Sequence, residues 1–488
     1  ALGATNLRAL TNDQLSSLTT TAMAVFTTDN LRAFSAAQIN ALRSDQIVAL
    51  TTQQSAGLST INISGLGAAQ IAVMETQDIA ALSEASIRAL TGVQLRSLDS
   101  TQIAALGSNQ IVALSTANIA SLNNEQFGML ETADVSALST AQVVALSTAQ
   151  VSSLSTAAAS ALNTAQIPAL TTAQLAAFTT AQLVTMETDD FAAITTAQIT
   201  GLKTAQIASL TTDQLVALTT GQVASLTTAQ LAAITTAQLT AMETGDVAAI
   251  TTDQITALTT AQVAALTTDQ LLALSTGQLA TLKTAQVAAL STDNLAAITT
   301  ANITALTTAQ IASLTTAQVV ALTTDQIGVL GTDQIAALTT KQVVAMETDD
   351  IAVITTDQIG AMTTAQVASL TTAQVVALTT AQVSTLSTAQ LAALKTAQIA
   401  SMETDDFAAI TTAQISALTT AQVVALTTDQ VVALTTAQTA AMTTAQLAAI
   451  TTAQLVTMET DDVAAITTAQ ITGLKTAQMA SLTTDQLV

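Results

Sequence analysis

The sequence predicts an all-α solenoid, a superhelix of very short helices with one helix in each eight-residue repeat. Three observations predict it. An eight-residue period runs through the chain without a break. An octad wound as a helix gathers its fixed residues on one side. Aromatic and turn-forming residues are scarce, with six Phe, no Trp or Tyr, one Pro and 15 Gly in 488 residues.

The repeat unit is L-x-T-x-Q-[I/V/L]-x-A, and a good copy runs from Leu314 to Ala321. With that Leu as position 1, an apolar residue falls at every eighth place from Leu2 to Leu482. Phe26, Met74 and Ile194 replace the Leu and keep the phase. A fixed short period of this kind is the signature of a repeat architecture, in which each unit buries its apolar face against its neighbours. Residues 1–110 form a degenerate stretch, where Asn12, Ala36, Ser44 and Gly92 replace the position-3 Thr. Residues 111–488 are regular. The two stretches form one continuous array with no capping repeat at either end, so the array reads as a segment of a longer chain.

The choice between helix and strand follows from the residue pattern. At about 100° per residue, positions 8, 5, 1 and 6 fall on one arc and positions 2, 7 and 4 on the other. The first arc holds the fixed residues and the second the variable ones, which is an amphipathic helix. An uninterrupted helix would turn its apolar stripe by roughly 80° per octad, so the helix must restart in each repeat. Thr at position 3 suits an N-cap. Placed at position 2 instead, the cap would form a capping box with Gln at position 5. Either gives a helix of about six residues, far too short to stand alone. The alternative fold is a β-solenoid, with Thr and Gln ladders on alternating positions. Few turn residues and much Ala, Gln, Leu and Met oppose it. Pro168, at position 7, removes one helical hydrogen bond in its octad.

A longer period overlies the octads. Marker octads with Met or Leu at position 1 and Glu at position 2 begin at Met74, Leu130, Met186 and Met242, a spacing of seven octads. The series resumes at Met346, Met402 and Met458. Four markers read M-E-T-D-D and supply Glu187, Asp189 and Asp190; Glu347, Asp349 and Asp350; Glu403, Asp405 and Asp406; Glu459, Asp461 and Asp462. The plain reading is acidic residues at a helix start, where they meet the positive end of the helix dipole. The sharper reading is a calcium site between neighbouring coils. Calcium takes six to eight oxygens, and one octad offers three carboxylates.

Composition narrows the function classes. Without Cys or His there is no thiolate nucleophile, zinc-thiolate site, disulfide or imidazole base. The expectation is a protein that is not an enzyme and needs no cofactor, calcium aside. Net charge is −23. Residues 1–96 hold five Arg against six acids, and the rest holds five Lys against 27 acids. Such a surface repels phosphate backbones, so no nucleic-acid partner is expected. No apolar run is long enough for membrane insertion.

The L-T-T-x-Q-[I/V/L]-x-A tracts resemble octapeptide arrays of very long surface or secreted proteins of Gram-negative bacteria, loosely labelled adhesin-, haemagglutinin- or RTX-like. The resemblance covers the whole array. It implies a structural repeat protein, extracellular or at the cell surface, that forms or extends a filament or adhesin stalk. Self-association into fibres is the expected partnership, and a passive spacer in a giant adhesin or a calcium-binding surface scaffold the alternatives. A shorter stretch, Leu314 to Leu322, is similar to the helix-opening part of a TAL-effector repeat. The base-reading residue pair and basic stripe of that family are absent here.

Overall fold

The computed structural model describes residues 3–488, so the first apolar position, Leu2, lies outside the described residues. Among the described residues there are sixty α-helices of four to six residues, one 3-10 turn and no strand. The β-solenoid alternative is thereby excluded, and the helical solenoid stands.

The helix begins one residue earlier than a position-3 cap requires. In the octad from Leu314, the helix is Thr316–Val320 and the N-cap is Thr315, at position 2. The Thr315 hydroxyl accepts from the Gln318 amide at 3.2 Å, and the Thr315 amide donates to Gln318 Oε1 at 2.8 Å. This is the capping box of the position-2 alternative, and it rules out the position-3 cap. Position 3 is the first helical residue. The break falls on positions 1 and 2, whose backbone is extended, with φ −56° and ψ 138° at Leu314 and φ −71° and ψ 158° at Thr315. No described residue has a positive φ. The helices therefore end without a left-handed glycine cap, which is why so few glycines suffice.

Pro168 marks the octad whose helix gives way. There the chain forms only the 3-10 turn Ile167–Ala169. The inward side chains Gln166 and Ile167 stay buried, so the register survives the lost helix.

Burial follows the octad. Positions 1, 5 and 6 are inside: Leu314, Gln318 and Val319 are 5%, 2% and 0% exposed. Positions 2, 3 and 4 are exposed, and position 8 is half-buried. Position 8 is small because it abuts position 3 of the preceding coil. The Ser313 hydroxyl, at position 8, donates to Gln310 O of its own helix at 2.7 Å and lies 3.3 Å from Thr284 O, at position 3. A Cβ added at Gly65, also at position 8, would lie 2.6 Å from the main chain of Ala36.

The chain divides into two compact units, 1–250 and 251–488. Within the first, Ala36–Asn40 packs on Thr60–Gly65, three octads further on. Within the second, Thr364–Ser369 packs on Thr388–Ala393 in the same way. Each unit is a coil of helices whose core is the stacked position-1 and position-6 residues.

The core holds a misplaced hydroxyl at position 6, that of Thr439, buried with no hydrogen-bond partner. Valine has the shape of threonine without the polar group. Thr439→Val should therefore stabilise the second unit by about 1 kcal/mol, the cost of an unpartnered buried hydroxyl. Thermal melts of the full chain, with hydrogen exchange of the amides near residue 439, check this. A lower melting temperature or faster exchange contradicts it.

Candidate functional site

The chemistry of this chain is concentrated at position 5, where a polar residue enters the core in almost every octad. Its usual occupant is Gln, which links two helices. The Gln318 Oε1 accepts from the amide at the start of its own helix, as above. Its Nε2 donates to Leu290 O at 2.8 Å and Val287 O at 3.0 Å, on the preceding coil. Helix C-termini carry carbonyls without an intrahelical partner; Val287 ends its helix, where its carbonyl also accepts from the Leu290 amide at 3.1 Å, and Leu290 lies just beyond. One side chain thus caps the start of one helix and the end of another.

The separations recur with the same values. Gln46 Nε2 reaches Leu18 O and Leu15 O, and Gln430 Nε2 reaches Met402 O and Ile399 O, again 28 and 31 residues back. A coil therefore closes about every three and a half octads.

Other position-5 residues keep part of this role. Asn118 Nδ2 and Asn294 Nδ2 each donate at 2.8 Å to the carbonyl 28 residues back, Leu90 O and Leu266 O. Ser86 Oγ donates to Leu58 O at 2.8 Å. Near the N-terminus, Arg side chains add forward caps: Arg8 Nε donates to Ala33 O and Arg32 Nε to Gly57 O.

The marker octads place Asp here: Asp78, Asp134, Asp190, Asp246, Asp350, Asp406 and Asp462, all buried. The carboxylate can still accept at its own helix start, as Asp350 Oδ2 does from the Glu347 amide at 3.1 Å. Ionised, it has no proton for the preceding coil. Asp134 is served instead by the Ser108 hydroxyl at 2.9 Å. Asp78 Oδ1 and Asp462 Oδ2 are buried with no partner. Burial pushes Asp190, Asp406 and Asp462 up to about 6, and the neighbouring acids of the same turn add to the effect. Asp350 moves in the same direction for the same reason.

The four M-E-T-D-D trios do not converge. Asp190, Asp350, Asp406 and Asp462 point inward, whereas Glu187, Glu347, Glu403 and Glu459 at position 2 and Asp189, Asp349, Asp405 and Asp461 at position 4 are exposed. Among the described residues no group of three or more acidic side chains is placed to hold a metal ion. A groove of about 570 Å³ between Ala80 and Gln110 has Glu84 as its single titratable side chain. Among the described residues no helix is long and apolar enough to cross a membrane.

The repeat geometry agrees with a known family. The ALTTAQ repeat matches residues 23–60, 71–108, 87–124, 104–138, 127–162, 183–220, 239–276, 273–308, 305–340, 343–380, 376–403, 399–436 and 455–488, well over half of the chain. The chain belongs to the ALTTAQ repeat family. Among curated proteins no match is found. One ALTTAQ string spans Ala377 to Gln382. It starts at the small position 8 of one octad and ends on the bridging Gln of the next. Gln382 Nε2 donates to Ile351 O at 2.8 Å. The ALTTAQ motif thus holds the close coil contact, the helix break, the cap and the bridge.

Gln318→Met keeps the length and apolar stem of the side chain and removes the amide. It leaves the Thr315 amide and the Leu290 and Val287 carbonyls without this partner, at roughly 1–3 kcal/mol for each group that water cannot reach. The expected result is a lower melting temperature and faster hydrogen exchange around residues 287–290 as well as 315–322. Faster exchange confined to residues 315–322 would mean that Gln318 acts only within its own helix.

Proposed function

We propose that this ALTTAQ array is a structural element that extends an extracellular filament or adhesin stalk. The supporting observation is the recurring bridge of 28 and 31 residues, which commits each octad's one polar core group to the coil before it. Adding octads adds coils of the same kind, and stability comes from neighbour contacts. No catalytic activity and no cofactor are part of this reading. The acidic surface keeps the protein soluble and deters nucleic acid. Association with further copies is part of the proposal, because a head-to-tail contact that does not close generates a filament.

Negative-stain electron microscopy of the purified full chain tests this against the passive spacer. The expected result is ordered polymers at physiological salt. Isolated strands at all concentrations would assign the chain to the spacer role, and compact round particles would exclude both.

A further inference from the structure

The marker octads replace a donor with an acid at the recurring place where each coil is tied to the coil before it. Every Asp in this position has a natural counterpart of its own length. Asn118 and Asn294 occupy position 5 and reach the carbonyl 28 residues back at 2.8 Å. A protonated Asp carboxyl differs from an Asn amide by OH in place of NH2, so it has the same reach and one proton to give. An ionised Asp brings a negative oxygen towards the same carbonyl.

We propose that Asp78 and Asp246 are proton-operated ties between coils: protonated, each donates to the matching carbonyl of the coil before it, Leu50 O and Leu218 O, and ionised, each releases it.

Both side chains are buried, at 1% and 5% exposure, and Asp78 Oδ1 has no partner. The groups around Asp78 are Glu75 in its own octad, the Thr52 and Ser55 hydroxyls of the helix Thr52–Ala56 before it, and Asp99, which caps the helix Ser100–Ala104 after it. Around Asp246 they are Glu243 and the uncharged helix Thr220–Ser225. No cation faces either carboxyl from these elements. Burial raises both Asp78 and Asp246 above the ordinary value of 3.8; Glu75 and Glu243 add to this, and the two hydroxyls oppose it at Asp78. At Asp134 the Ser108 hydroxyl donates to Oδ1 at 2.9 Å, whereas Asp78 Oδ1 has no donor.

The sign follows from proton linkage. A carboxyl raised in the folded state holds a proton that the unfolded chain has already released. Its contribution to stability is full below the ordinary value of 3.8. It is lost as pH rises through the raised folded value, so acid tightens these ties and neutral pH loosens them.

The test compares full-length chains by thermal melting between pH 4 and pH 7.5. The wild type should lose several degrees of melting temperature over that range. D78N/D246N should lose clearly less and should melt above the wild type at pH 7.5. D29N/D213N removes two exposed position-4 charges instead, and should keep the wild-type slope. Equal slopes in the wild type and D78N/D246N would overturn the proposal. So would an equal flattening in D29N/D213N, which would assign the effect to net surface charge. Hydrogen exchange in the wild type gives a second readout without substitution. Amides near residues 50 and 218 should exchange faster at pH 7.5 than at pH 4 once corrected for intrinsic rates, while those near residue 106, opposite Asp134, should not. Equal protection at all three places would also overturn it.

Discussion

The whole array depends on one side-chain amide. Helices of four to six residues have more unpaired backbone groups at their ends than paired ones inside. Left in an apolar core, those groups would cost more than the core returns. Gln at position 5 resolves this with a single group of two functions. Its oxygen takes an amide at the start of its own helix, and its nitrogen serves carbonyls at the end of a helix one coil back. The apolar residues of positions 1 and 6 supply the burial, but they are non-directional. The Gln bridge sets which octad sits over which.

The half-integer coil accounts for the longer sequence period. With three and a half octads to a coil, an octad does not lie over another octad in phase until two coils have passed. Two coils are seven octads, the marker spacing. Within the first unit Asp78, Asp134, Asp190 and Asp246 recur at this spacing, and within the second Asp350, Asp406 and Asp462 do. The altered ties therefore fall on the same side of each unit. The same geometry places position 8 against position 3, so a small residue at one and a short residue at the other are one constraint.

Much of the fold could be read from the octad alone. The inward arc of positions 8, 5, 1 and 6 gave the helix, and the intact phase gave the array. The sequence leaves the cap open between position 3, where Thr is nearly invariant, and position 2. Position 2 is less uniform, holding mostly Thr, Ser, Glu or Lys, and the Gln three residues beyond it is the better guide. The second function of Gln was not readable, because it is a contact between coils and the sequence does not state how many octads make a coil. A hint was present: a polar residue fixed on the inward arc needs a buried partner, and seven octads is an odd number. The acids of M-E-T-D-D were read as one cluster because they are adjacent in sequence. The helix separates them, turning Asp190 inward and leaving Glu187 and Asp189 in solvent.

The central claim is that coils close at three and a half octads, in the register the bridging amide sets. Because the chain has no cysteine, engineered disulfides measure that register directly. A Cβ built at Gly201 lies 3.4 Å from Thr172 Cβ, close to the separation of about 3.5–4.5 Å found across disulfides. Thr172→Cys with Gly201→Cys should therefore cross-link readily under mild oxidation. Pairing Thr172→Cys with Ala193→Cys or Ser209→Cys shifts the partner by one octad either way and should leave free thiols. Efficient cross-linking of either shifted pair, or none in the first, would contradict a coil of three and a half octads.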